Sequence, residues 1–413
     1  MNMSVNHHIP TLPRLGNPNR RALKPLRSLV KLMYGTDPHP SPGQIATVER
    51  YMQLGDPLAD AVVAMYKDLP TGQGRKLLDQ ALENGIHTLQ NPPQALVDLF
   101  LQIDQEPIWL DRGKIKLACE VSRRIGPWGE LVLRNLALMA GYLGGAAAKP
   151  LVFTGQLDRM TPRRLVETGK FWMDVTTNGG LERDAEGFKS AVRVRMMHAQ
   201  VRAMLLKSDK WDDAWGHPLN QWDSMATILE FSSIYLTGLR ALGFVFTKKE
   251  REAITHLWRY IGYLMGVDET ILPANETDSI RAMYLASATA PKPDEDSKIL
   301  GQSLGDSPLM FASDHWFSQR AAKVERTLRI GYSRYLLGDN ACNQLGLPDT
   351  KAKYFWPATV PLRMSSELVR KTVPGVNQLL IKWGEKAAKE QFPQQVKQTQ
   401  ADTTFTPVKK LAR

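Results

Sequence analysis

Arg193-Val-Arg195-Met-Met-His198-Ala-Gln-Val-Arg202 is the stretch on which the reading of this chain turns. It reads as part of one long, largely apolar helix that Asp184 opens. Taken at helical spacing, Ala191, Val194, Arg195, His198, Val201, Arg202 and Leu205 share one face. A cation pair on an apolar stripe is costly unless an anion meets it. A haem would supply an iron for the neutral imidazole, an apolar macrocycle for Val194, Val201 and Leu205, and propionates for Arg195 and Arg202. The alternative is structural: a hydrogen-bonded core histidine, with both arginines paired to Asp or Glu of a neighbouring helix.

The preceding helix carries a second informative face. Thr161-Pro162 is a start signal, Thr as N-cap and Pro at the first helical position. Arg164, Thr168, Phe171 and Val175 then fall on one stripe. A threonine facing a metal can hydrogen-bond dioxygen or its products, whereas a helical threonine otherwise bonds back to its own backbone. The helix is expected to stop at Asn178-Gly179-Gly180.

Outward from these two helices the chain remains helical. Apolar residues recur at three and four in Ile45–Leu54, Leu58–Leu69, Ala95–Ile103 and Ile115–Ile125, punctuated by proline and glycine. Further helices are expected over Pro127–Ala148, Asn220–Phe246, Lys248–Gly266 and residues 315–337. Small residues at Gly141, Gly144, Gly145 and the following alanines allow a helix or a flat ligand to approach closely. Ala290–Ser297 reads as an exposed loop. No strand is expected. The domain expectation is a flexible tail over 1–20, one helical domain over 21–390 and a flexible basic tail over 391–413.

Composition narrows the function classes. The chain has 413 residues, 43% of them hydrophobic, enough for a large core. Cys119 and Cys342 lie far apart, so neither a disulfide framework nor a zinc site is implied. The uncharged run Asn135–Ala148 has 14 residues, short of the roughly 20 that span a bilayer. A formal charge of +11 resides substantially in the two ends, with no aromatic–basic motif beside it, which argues against a nucleic-acid partner. Arg20-Arg21 is followed by Lys24-Pro25 and Arg27 instead of an apolar segment. No signal peptide is read there, and a cytoplasmic location is expected. Paired Glu-x-x-His motifs, His-Glu-x-x-His, a Gly-x-Ser-x-Gly elbow, a phosphate loop and a dinucleotide glycine motif are all missing. His256 is a spare candidate ligand.

Three segments in order, Arg163-Arg-Leu-Val-Glu-Thr168, the His198 stretch and Leu257-Trp258-Arg-Tyr-Ile-Gly-Tyr-Leu-Met-Gly266-Val-Asp-Glu-Thr-Ile-Leu-Pro273, resemble the latex-clearing (rubber oxygenase) and MpaB-type oxygenase family. The likeness runs over about 110–340, and His-Ala-x-Val-Arg is its specific part. The resemblance implies an all-α, globin-like core with flanking helices, haem b, and His198 as proximal iron ligand. Arg164 and Thr168 would lie on the distal side, where dioxygen meets an apolar substrate, isoprenoids included. The chain departs from the rubber-cleaving branch where relatives place a distal lysine, here Glu167. It departs again where they use a glutamate near the end of the preceding helix, here Gly144-Gly-Ala-Ala-Ala148. These departures bear on polyisoprene as substrate more than on haem. The rival readings are a haem-binding sensor or carrier without turnover, and a cofactor-free helical interaction protein.

Overall fold

Helix-start chemistry recurs along the chain and accounts for where its elements begin. Ser41 and Gln44 form a reciprocal capping box ahead of Pro42, Thr247 and Glu250 form another, and Asp294 and Ser297 a third. The computed structural model describes residues 12–155, 161–402 and 404–405, and among these no strand occurs.

In chain order the main helices are α1 (Lys24–Tyr34), α2 (Pro42–Met52), α3 (Pro57–Met65), α4 (Gln73–Asn84), α5 (Gln94–Asp104), α6 (Arg112–Ile125) and α7 (Pro127–Tyr142). Then come α8 (Lys149–Thr154), α9 (Thr161–Val175), α10 (Glu186–Leu205), α11 (221–241), α12 (Lys248–Leu264) and α13 (Glu276–Thr289). The last four are α14 (Glu295–Met310), α15 (Trp316–Gln344), α16 (Phe355–Thr372) and α17 (Val376–Thr399).

The core gathers α6, α10 and α12. Phe188, Ala191, Val192, Met196, Ala199 and Leu205 of α10 are buried, as are Leu257, Trp258 and Ile261 of α12. α9 packs along α10, α6 packs on α12, and α17 returns across α6 and α9. A helix covered on nearly every side must find partners for its polar groups. Lys189 of α10 accordingly meets Glu83, and Ser190 donates to Asp174 at 2.7 Å.

The structure modifies several expected boundaries. The helix predicted over Pro127–Ala148 breaks at Leu143-Gly144, and the segments Pro127–Tyr142 and Gly145–Thr154 meet at 118°. No single helix among the described residues is long and apolar enough to cross a membrane, although that bent pair together has the length and composition. α10 begins at Glu186 with Ala185 as its cap, not at Asp184. α9 stops at Val175, ahead of the glycines. α15 runs on to Gln344 across a kink at Gly338, whose φ of 82° and ψ of 164° are non-helical. The expected loop over Ala290–Ser297 is shortened by α14, which starts at Glu295.

Both terminal expectations change where residues are described. Leu12 is buried, and Arg14 pairs with Asp223 at 2.7 Å, so the attached chain starts well before residue 21. α17 continues past 390 to Thr399. Residues 1–11 and 406–413, the remainder of the two expected tails, lie outside the described residues.

Candidate active site

His198 sits midway along α10 and has no hydrogen-bond partner among the described residues. It retains accessible surface, yet loss of hydration is the strongest influence on its imidazole, ahead of the neighbouring Arg202. Its pKa is pushed down to about 4. The ring is thus partly accessible but largely stripped of water by the protein around it. The ring is therefore neutral at pH 7, with its lone pair uncommitted, which is the state that ligates a metal.

Arg195 and Arg202 do not share that freedom. Arg195 donates from Nε and Nη2 to Asp56 at 2.6 and 2.9 Å, and from Nη1 to Gln102 at 2.6 Å. Arg202 donates to Asp60 at 2.7 and 2.9 Å and to the Leu219 carbonyl at 3.0 Å. Their guanidinium groups are taken up by carboxylates at the start of α3, the structural alternative named for them. Propionate contacts from either would require those pairs to open. Their evident work is to fix α10, one turn on each side of His198.

α9 contributes a different pair. Among the described residues Arg164 has no carboxylate partner; Nη1 donates to the Leu151 carbonyl at 3.1 Å, and burial lowers its pKa. Thr168 makes no hydrogen bond among the described residues. That is unusual here, because Thr154, Thr176, Thr237 and Thr255 each donate to the carbonyl four residues earlier. The neighbouring Gly169 borders open space, since a Cβ there would meet nothing within 4 Å. Glu167 points elsewhere. It pairs with Arg163 at 2.8 Å and accepts from the Asp402 backbone at 3.0 Å, which turns it toward the C-terminal segment.

His256 resolves to a structural residue. It is buried, its Nε2 accepts from the Asp111 N–H at 2.8 Å, and Trp109 meets its ring edge-on. Its lone pair is used, so it is not a ligand.

The structure adds two residues that the sequence reading missed, Tyr142 and Glu230. α7 and α11 each contain a π turn, over Leu133–Ala137 and Glu230–Ile234, and the two turns pack on one another. Such turns widen a helix by one residue and occur often at functional sites. Glu230 heads the second turn and has no hydrogen bond or ion pair among the described residues. Burial alone raises its carboxyl pKa to about 8. Tyr142 lies at the end of α7, within electrostatic range of both Arg164 and Glu230. A signal existed: Glu230 is the lone acid between Asp223 and Glu250, in an otherwise apolar helix.

Aromatic groups line these elements. Phe231 stacks on Trp258 at 4.6 Å and 17°, and Phe171 of α9 approaches the same indole at 6.5 Å. A neutral imidazole without a partner, a guanidinium without a carboxylate partner and a free hydroxyl, all as judged among the described residues, together with apolar rings, fit the needs of a haem with an axial histidine. A separate cavity of about 650 Å³, lined by Leu131, Trp316, Phe317, Val324, Leu328 and Trp356, includes none of these residues and lies on α15 and α16.

Residues 125–370 match the family model described as ER-bound oxygenase mpaB/B'/Rubber oxygenase, catalytic domain. The chain belongs to this family. Within it, the chain is similar to the rubber oxygenase of Streptomyces sp. (strain K30), at 23% identity over 275 residues. That match covers 65% of this chain and spans 63% of the relative's length. Its fold is similar to that of a solved latex clearing protein in the closed state, with a TM-score of 0.60 and 20% identity, covering 82% of this chain and 91% of the other. The matched segment includes α9, α10, the π turn of α11 and α12, the elements that carry Arg164, Thr168, His198, Glu230 and Trp258.

Proposed function

We propose that this protein is a haem b-dependent oxygenase that uses dioxygen on an apolar alkene, with His198 as the proximal iron ligand. The observation that carries the reading is the state of His198: neutral, partly accessible and without a hydrogen-bond partner among the described residues, in a chain of the MpaB/rubber oxygenase family. Haem, when bound, would supply the activation of dioxygen. The protein's own residues do the rest. His198 offers a neutral nitrogen to hold the cofactor. Arg164 keeps a positive charge, and Thr168 a free hydroxyl, available to orient an oxygen-containing group. Phe171, Phe231 and Trp258 provide an apolar wall, so water is displaced and a hydrocarbon chain is favoured. Arg195 and Arg202 hold α10 through Asp56 and Asp60 and leave the substrate to others.

The first test is the absorption spectrum of the purified protein, followed by oxygen uptake with candidate alkenes. A Soret band with alkene-dependent uptake supports the proposal. A Soret band with no uptake on any alkene favours the sensor or carrier reading, and a protein that neither retains nor takes up haem is a helical interaction protein instead.

A further inference from the structure

The end of α7 carries no acid of its own over residues 144–148, where glycine and alanine predominate. A carboxyl nonetheless reaches that place from another helix. A Cβ built on Gly141 would overlap Glu230 Oε1 and lie 3.0 Å from its Cδ, so Glu230 rests on the bare backbone of Gly141. It arrives there because the π turn at 230–234 shifts the register of α11 and packs against the π turn of α7. Tyr142, also without a hydrogen bond among the described residues, stands beside it, and Arg164 stands near Tyr142.

Other charges around the π turn are occupied. Arg134 of the facing turn pairs with Glu130 at 2.5 Å and donates to Ser307 at 2.8 Å. On α12, Arg259 lies over the Trp109 ring and His256 is bonded to Asp111. On α13, Glu276 pairs with Arg251, Asp278 accepts from Asn275, and Arg281 donates to Thr36. On α11 itself, Asp223 pairs with Arg14. Ser233, three residues on, is bonded to Ser279. Glu230 is thus left, among the described residues, with Tyr142 and Arg164 as its polar company.

We infer that Glu230 is the acid–base group of the site it forms with Tyr142 and Arg164, a carboxyl that exchanges protons with the oxygen-bearing group formed from the substrate. The inference rests on the proposed oxygenase reading and deepens it. In the step it serves, the O–H bond of the neutral carboxyl breaks as the proton passes to a lone pair of an oxygen atom that the oxygenase reaction has added to the alkene. The carboxylate left behind recovers a proton from product or water, so no electrons are gained or lost. Burial without a counter-charge keeps that proton on Glu230 near neutral pH, the condition for acting as an acid there.

Glu230→Gln tests this, because the amide keeps the shape and neutrality of the protonated carboxyl but gives up no proton. Infrared difference spectra of the purified wild-type and variant proteins at pH 7 should show the carbonyl stretch of a neutral carboxyl only in the wild type. Melting temperatures should move apart in a set direction. The folded wild type retains a proton that the unfolded chain releases, so the variant should gain on the wild type as pH rises from about 4.5 to 8. Turnover on an accepted alkene should fall by about 100-fold, with haem content unchanged. An ionised Glu230 at pH 6, or a variant with wild-type turnover and pH profile, overturns the inference. Haem content, read from the absorption spectra, reports separately on the oxygenase reading, because the infrared and melting results do not depend on it.

Discussion

Arg195 holds Asp56 through two hydrogen bonds of 2.6 and 2.9 Å, and both side chains are almost fully buried. Asp56 also caps α3 by accepting from the Ala59 N–H at 3.2 Å. One carboxylate therefore fixes the start of α3 and the middle of α10, the helix that carries His198. Removing one member of such a pair strands a buried charge, which costs about 3–5 kcal/mol. Asp56→Ala should lower the melting temperature by many degrees. Arg195→Lys should not match the wild type either, because an ammonium cannot reproduce the two-pronged geometry. Thermal denaturation of both variants checks this, and a near-wild-type Asp56→Ala would show that the pair is not what anchors α10.

His256 predicts a pH dependence of stability. It is neutral in the fold, with its pKa pushed down to about 4 by burial, against about 6.5 in an unfolded chain. Between those values the unfolded chain takes up a proton that the folded chain refuses. Stability contributed by the neutral imidazole is present above pH 6.5 and is lost as pH falls toward 4. The loss should reach on the order of 2–3 kcal/mol. Denaturant titrations from pH 4 to 7 should show this slope, and His256→Gln should reduce it by the His256 share, leaving the part owed to His198, whose imidazole is held equally low.

Thr168 predicts a separation between cofactor and turnover. Its hydroxyl is not consumed by its own helix, so it is free for a reacting group. Thr168→Ala should leave haem content unchanged while lowering turnover by about tenfold, the worth of one hydrogen bond. Equal turnover in mutant and wild type would remove Thr168 from the site.

Gly141 predicts an effect opposite to helix propensity. Alanine is favoured over glycine within a helix by about 1 kcal/mol, yet a methyl group here would displace the Glu230 carboxyl. Gly141→Ala should keep or raise the melting temperature while reducing turnover. A fully active Gly141→Ala variant would show that the position of Glu230 is immaterial.

Much of this arrangement could be read from residue order. The helical period, the capping residues and the His198 stretch identified α9, α10 and α12 with few errors of extent. What escaped was register. A π turn inserts one residue into a helix without any proline or glycine to announce it, so the sequence pattern gave no reason to break α11 at Glu230. The pairing of Arg195 and Arg202 was legible only as one of two options. Asp56 and Asp60 lie about 140 residues away from them in sequence, and helical spacing on one element cannot tell which anion meets a cation. The break at Leu143-Gly144 was signalled by its glycines, which were read as surfaces for close approach instead of as an end.

The account rests on His198 as a ligand, and the haem content of His198→Ala tests that most directly. The imidazole is neutral and has no hydrogen-bond partner among the described residues, so replacing it removes none of the hydrogen bonds described, and the variant should keep its helical circular dichroism. Its Soret absorbance per protein should fall to a small fraction of the wild-type value. A folded His198→Ala protein with full haem content and an unshifted Soret band would contradict the account.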